Sequence, residues 1–183
     1  MSKTPIDLNP WRAALLCYGL ALLLLAVDQI SKAWIYQQLP FGNPQPIFEP
    51  WLYFTHVHND GAAFSIMRGK KWLLSLIALA VAIWVVQYER RLKIRHPLHL
   101  MGLACILAGA LGNMVDRFRL GFVVDFLDLH YAGRNIWPIF NVADICINLG
   151  VGLLIFYFWR YPEPASQEPN KEEEGILKDA SIG

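Results

Sequence analysis

The run at residues 138–160, PIFNVADICINLGVGLLIFYFWR, is apolar enough to cross a bilayer, yet it carries Asn141, Asp144 and Asn148 at i, i+3 and i+7. On a helix these three share one face. An unpaired carboxylate at bilayer depth costs ~2.5–3.5 kcal/mol even on the lenient insertion scales, so an acid kept there is a functional hypothesis by default. Its bland counterpart is a stripe of amides that hydrogen-bond across helices. Further polar groups stand at the ends of other apolar runs. Asp28 has Lys32 four positions on, Asp116 follows Asn113 and precedes Arg117, and Asp125 lies in the segment GFVVDF. On spacing alone Asp28 with Lys32 reads as an interfacial ion pair. Asn113, Asp116 and Arg117 read as a positioning network in which Asp116 is the nearest carboxylate for Arg117.

Other chemistries find less support. His56, His58 and His130 do not complete a metal site, and no H-E-x-x-H occurs. Ser31 and Ser65 have no His partner in sequence to activate them. Cys17, Cys105 and Cys146 fall in three different apolar runs without ligand spacing and read as small packing groups.

The elements that must position these groups follow from hydropathy. Of 183 residues, 55% are hydrophobic and 17% charged, and the apolar ones gather in blocks at 13–27, 72–88, 98–115 and 142–159. With flanking aromatics each approaches the ~20 residues that cross hydrocarbon, and none has the polar stripe of a soluble surface helix. The expected fold is a membrane all-α bundle of four spans, about 12–34, 71–89, 97–116 and 138–160, within one embedded domain over 11–161. Trp11, Trp34, Trp72, Trp137 and Trp159 bracket the spans as interfacial anchors, whereas Trp84 reads as core filler. The first block is read as a retained anchor, because Cys17 lies near the start of its run behind bulky Leu16 and no small-residue cleavage site follows it.

Arg90, Arg91, Lys93 and Arg95 place the short connection between the second and third blocks in the cytoplasm, with both termini on that side; Lys70 and Lys71 oppose this orientation. The first and third spans then run outward and the fourth starts outside. Asp28, Asp116 and Asp144 therefore converge at the outer face, where Asp125 also lies. Between the first two blocks, prolines and then WLYFTHVHN with a turn at Asn59-Asp60-Gly61 predict a small strand unit. DFLDLHYAGRNIWP is expected as a second loop over the site, with Asp128 a loop residue. The leader 1–10 and the acidic, proline-containing tail 162–183 are expected to be disordered and cytoplasmic. A net charge of +1 with no basic patch outside the membrane flanks gives no reason to expect nucleic acid.

In chain order, DQISK (28–32), HNDGAAFS (58–65), GALGNMVDR (109–117), GFVVDF (121–126) and FNVAD (140–144) resemble the motifs of bacterial lipoprotein signal peptidase, or signal peptidase II. The resemblance covers residues 12–160. It implies an intramembrane aspartic endopeptidase; no cofactor or metal is expected, and the chain is expected to be a monomer. It would act in the bacterial cytoplasmic membrane on diacylglyceryl-modified prolipoproteins, cutting before the lipidated cysteine and sensitive to globomycin. By the same resemblance Asp125 and Asp144 are the catalytic pair, and Asp28, Lys32, Asn59, Gly61, Asn113, Asp116, Arg117 and Asn141 support the site or hold substrate. Two close carboxylates sharing a proton can serve water activation and leaving-group protonation together. At ~0.8 kcal/mol per buried methylene, a diacyl anchor keeps the scissile bond at the membrane, which accounts for an acid there. The strand unit around Asn59 would hold the extended signal peptide by strand addition. Asp60 and the acidic tail depart from the family pattern. A small transporter and an assembly partner are the alternatives of other classes; a second type of intramembrane aspartic protease is disfavoured because no Gly-x-Gly-Asp occurs.

Overall fold

Each apolar block folds as a helix in the computed structural model, which describes residues 6–61 and 69–162. These are α1 (Pro10–Gln38), α2 (Lys71–Arg91), α3 (Pro97–Arg119) and α4 (Val142–Arg160), all long and apolar enough to cross a membrane. Local chemistry sets their starts. Asn9 Oδ1 accepts from Arg12 N at 3.1 Å, and His96 Nδ1 accepts from Leu98 N at 3.2 Å. In both cases proline takes the first helical position, where its missing N–H costs nothing. Residues 1–5 of the expected leader, 163–183 of the expected tail and 62–65 of the HNDGAAFS motif lie outside the described residues. The rest of the leader is docked: Leu8 N donates to Arg95 O at 3.0 Å, and Asp7 accepts from Arg95 N at 2.8 Å.

Helix α3 is the hub. It is by far the most buried of the four, and α1, α2 and α4 all pack on it. Lipid tails give no hydrophobic drive between helices, so close van der Waals approach must supply the association. Glycine permits that approach. A Cβ on Gly109 would collide with the Ala143 carbonyl and stand 2.6 Å from Ile147, and one on Gly150 would stand 2.7 Å from the Gly102 carbonyl. Gly109→Ala is therefore expected to cost ~1–3 kcal/mol despite alanine's better helix propensity. Thermal unfolding in detergent tests this, with Gly152→Ala, which meets nothing within 4 Å, as the neutral control. Equal melting of the two variants would refute it.

Outward faces carry the apolar residues, among them Leu22, Ile30, Leu76 and Ile155. Trp84 belongs with them: it is exposed and stacks on Tyr88, not buried as core filler. Its half-exposed ring covers helix surface instead of filling α3's small-residue seams.

The end of the bundle opposite the α2–α3 connection carries a four-stranded antiparallel sheet, β1 (Gln45–Phe48), β2 (Leu52–Asn59), β3 (Val123–Tyr131) and β4 (Arg134–Asn135), in that spatial order. The expected second loop is thus largely strand β3, and Asp125 and Asp128 are strand residues. A register shift between Phe54 and Val57 lets Val57 face Asp125 and Asn59 face Val123 across the β2–β3 pair. Behind the sheet, Val124 and Phe126 pack with Ile35 of α1. Strand β3 is thereby pressed onto the bundle, with Asp125 turned to the side that Val57 and Asn59 share.

Candidate active site

Two stitches bring β3 and the start of α4 together. Phe140 exchanges backbone hydrogen bonds with Leu127, 2.8 and 3.1 Å, and its carbonyl also accepts from Phe126 N at 3.0 Å. The next residue, Asn141, caps α4: its Oδ1 accepts from Asp144 N at 3.0 Å while Asp144 Oδ2 accepts from Asn141 N at 3.2 Å. This reciprocal capping box satisfies two otherwise orphaned N–H groups and fixes where the Asp144 carboxylate sits.

Asn141 also reaches the second acid. Its Nδ2 donates to Asp125 Oδ1 at 2.6 Å and to Asn113 Oδ1 at 3.1 Å. Asn59 Nδ2 donates to Asp125 Oδ2 at 2.8 Å, and Asn113 Nδ2 donates to Asp144 Oδ1 at 2.8 Å. Asp125 and Asp144, from separate elements, are therefore held by three asparagines, of which Asn141 bonds both carboxyls, Asp125 through its side chain and Asp144 through its backbone N–H.

Beneath the amides lies a buried ion triad. Lys32 Nζ is 3.0 Å from Asp28 Oδ2 and 3.1 Å from Asp116 Oδ2, and it donates to Asn113 Oδ1 at 3.0 Å. An ammonium has three N–H donors, and here each has an oxygen. The expected Asp28–Lys32 pair exists, but at 1% and 2% exposure it is internal, not interfacial. Lys32 also orients Asn113: by taking the carbonyl end it leaves the NH2 end for Asp144. Gly112 makes room, since a Cβ there would stand 2.5 Å from Asp28 Oδ2.

Arg117 does not hold Asp116. Neighbouring residues on a helix point about 100° apart, and Arg117 instead donates to Gly61 O at 2.7 Å and Asn113 O at 3.3 Å. It so ties the turn after β2, where Gly61 N donates to Asn59 Oδ1 at 3.0 Å, to α3. Asn59 is aimed at Asp125 by this arrangement. Asn148 continues the stripe along the open part of the cavity, where it is exposed and donates to Asp144 O at 2.9 Å. Asp128 is buried on the strand with Thr55 Oγ1 at 2.6 Å, Asn135 Nδ2 at 2.5 Å and His130 Nε2 at 2.9 Å, a pin across β2, β3 and β4. His56 and His58 meet through their Nε2 atoms at 3.2 Å.

The sequence reading passed over Gln29. Its Nε2 lies 3.1 Å from Asp28 Oδ2, 3.1 Å from Asp116 Oδ1 and 3.2 Å from Gly112 O. The available signal was an uncharged amide beside Asp28 in an otherwise apolar span.

A cavity of about 1020 Å³ runs from these carboxyls between α2 and α4, with α3 as its floor. Asn59, Asn113, Arg117, Asp125 and Asp144 line its polar end, and Leu74, Ile77, Val81, Ile106 and Leu149 its apolar length. Burial, and then the Asp144 charge, push the Asp125 carboxyl from 3.8 up to about 7 against the hydrogen bonds from Asn59 and Asn141. The arrangement provides a carboxyl whose titration is raised toward neutral pH, beside another in the same cavity.

A family model described as Signal peptidase (SPase) II matches residues 20–160. The lipoprotein signal peptidase of Moorella thermoacetica is 41% identical over 149 residues, 81% of this chain and 94% of that relative. That of Syntrophomonas wolfei is 42% identical over 138 residues, 75% and 89%. A solved bacterial membrane enzyme structure, determined by the in meso method at 2.3 Å, superposes with a TM-score of 0.76 at 26% identity, covering 91% of this chain and 99% of that one.

Proposed function

The chain belongs to the signal peptidase II family, and on that premise we propose that it hydrolyses its substrate as an aspartic endopeptidase through Asp125 and Asp144. It is a multi-pass membrane peptidase that removes signal peptides from prolipoproteins. Membership in a peptidase family sets aside the transport and assembly-partner alternatives. The single observation that carries the reading is that Asn141 bonds both carboxyls at the polar end of a cavity whose remaining length is apolar.

In this reading the active form of the pair carries one proton, on Asp125, and Asp144 is the base. Asp144 takes a proton from water as its oxygen attacks the scissile carbonyl carbon, and Asp125 gives its proton to the carbonyl oxygen. Collapse of the resulting diol returns a hydroxyl proton to Asp125, while Asp144 gives its proton to the departing nitrogen and the C–N bond breaks. Both carboxyls end as they began. The amides hold each acid through both steps, and the Lys32 triad holds the amides.

The apolar length between α2 and α4 suits the acyl chains of a diacylglyceryl-modified substrate cut before its lipidated cysteine. The sheet end then faces the extracytoplasmic side of the bacterial cytoplasmic membrane, both termini lie in the cytoplasm, and one chain suffices for the site. Incubating the purified protein in detergent with a diacylglyceryl-modified prolipoprotein tests this by gel shift and product mass. A mature product beginning at the modified cysteine is expected; no cleavage, or cleavage elsewhere, rejects the reading.

The proton inventory gives a pH dependence. As pH rises through about 7 the pair loses its shared proton, so kcat/KM should fall there when measured between about pH 5 and pH 9. The unfolded chain releases the same proton near 3.8, so between these values the native state binds more protons and its stability also falls as pH rises. A rate flat or rising across the neutral region would contradict the assignment of the proton to Asp125.

A further inference from the structure

The two outer carboxylates of the ion triad each hold one half of the dyad by its backbone. Asp28 Oδ1 accepts from Ala143 N at 2.8 Å, immediately before Asp144. Asp116 Oδ2 accepts from Val124 N at 3.2 Å, immediately before Asp125. The distance between these tethers therefore helps set the distance between the reacting acids. Two things bridge them. One is the Lys32 ammonium; the other is the Gln29 amide, which reaches Asp28 Oδ2 and Asp116 Oδ1 from the side of α1. Gln29 is oriented in turn: Arg119 Nη1 donates to its Oε1 at 3.4 Å, so the NH2 end faces the acids.

We propose that Gln29 is a positioning residue that clamps Asp28 to Asp116 and thereby fixes the separation of Asp125 and Asp144, with Arg119 keeping its amide in the clamping orientation. This rests on the dyad reading above. The clamp is neutral and complements the cation: Lys32 reaches Asp28 Oδ2 and Asp116 Oδ2, and the Gln29 amide adds Asp116 Oδ1, so that both oxygens of Asp116 are tied to α1. Gln29 lines a second cavity of about 260 Å³ behind the site together with Lys32 and Asp116, so no substrate contact is needed for its effect.

A coupled pair of acids titrates in two steps whose spacing grows as the acids approach. Releasing the clamp lets the pair relax apart. The Gln29→Leu variant should then show the acid and alkaline limbs of its kcat profile drawn closer together and kcat lowered about 10- to 100-fold, the cost of misplacement near an ångström, with KM unchanged. Because Gln29→Leu leaves buried carboxylates short of a donor and can fail to fold, Arg119→Met is the second variant. Its side chain is exposed, and it frees the Gln29 amide to turn, so it should move the limbs in the same direction by less. Limbs that stay at wild-type pH in folded Gln29→Leu, or in Arg119→Met if the former does not fold, overturn the clamp while leaving the dyad intact. A wild-type profile without two limbs, or activity surviving in Asp125→Asn, overturns the dyad and the clamp with it.

Discussion

Asp125→Asn and Asp144→Asn should each abolish cleavage, with losses of about 10²–10⁴-fold for one proton-transfer role and toward the upper end because each acid acts in both steps. Asparagine keeps the planar shape and removes the titratable proton. It also turns one oxygen into a donor where two donors already point: Asn59 and Asn141 at position 125, Asn113 and the Asn141 N–H at position 144. A misfit of about 1–3 kcal/mol is expected from that alone. Melting in detergent must therefore accompany the gel-shift assay. Loss of cleavage in variants that still melt cooperatively supports the chemistry; substantial residual cutting by either variant would remove it from the dyad.

Lys32→Met should be nearly as severe, for an electrostatic reason. The substitution fills similar space but leaves Asp28 and Asp116, 1% and 2% exposed, facing each other without their common cation. Removing one member of a buried charge network typically costs about 3–5 kcal/mol. Activity should fall further than stability, because Asn113 loses the contact that directs its NH2 toward Asp144. Adding Asp116→Asn to Lys32→Met removes one of the stranded charges and should recover part of the melting temperature without recovering cleavage. A Lys32→Met enzyme with near wild-type melting and turnover would show that the triad does not organise the site.

The spans were legible because hydrophobic blocks of membrane length have few alternative folds, and the cap residues Asn9, Pro10, His96, Pro97 and Asn141 stand beside them. The polar motifs were legible as words. What they do to one another was less so, since that depends on direction. Arg117 follows Asp116 in the chain, yet successive helical residues diverge, and its partners prove to be carbonyls of Gly61 and Asn113. Strand β3 read as loop because Asp125 and Asp128, three apart, break the alternation that marks a half-buried strand. Both of its faces are buried, one against the cavity and one against α1, with the polar pin at Asp128 continuing the second. Gln29 was overlooked since a neutral amide between two carboxylates announces nothing until α1 and α3 are set side by side.

The ends of helices are ordinarily their loosest parts, opening and closing many times while the rest of the molecule stays folded. In this chain the hydrogen bonds that close the first turn of α4 are the ones that hold Asp144 and, through Asn141, Asp125. Fraying of that one turn would therefore loosen the proposed catalytic pair, leaving Asn59 on Asp125 and Asn113 on Asp144. On the proposed mechanism the fraction of molecules ready to react at any instant is limited by the fraction in which that turn is closed, and amide exchange at the start of α4 reports on it directly.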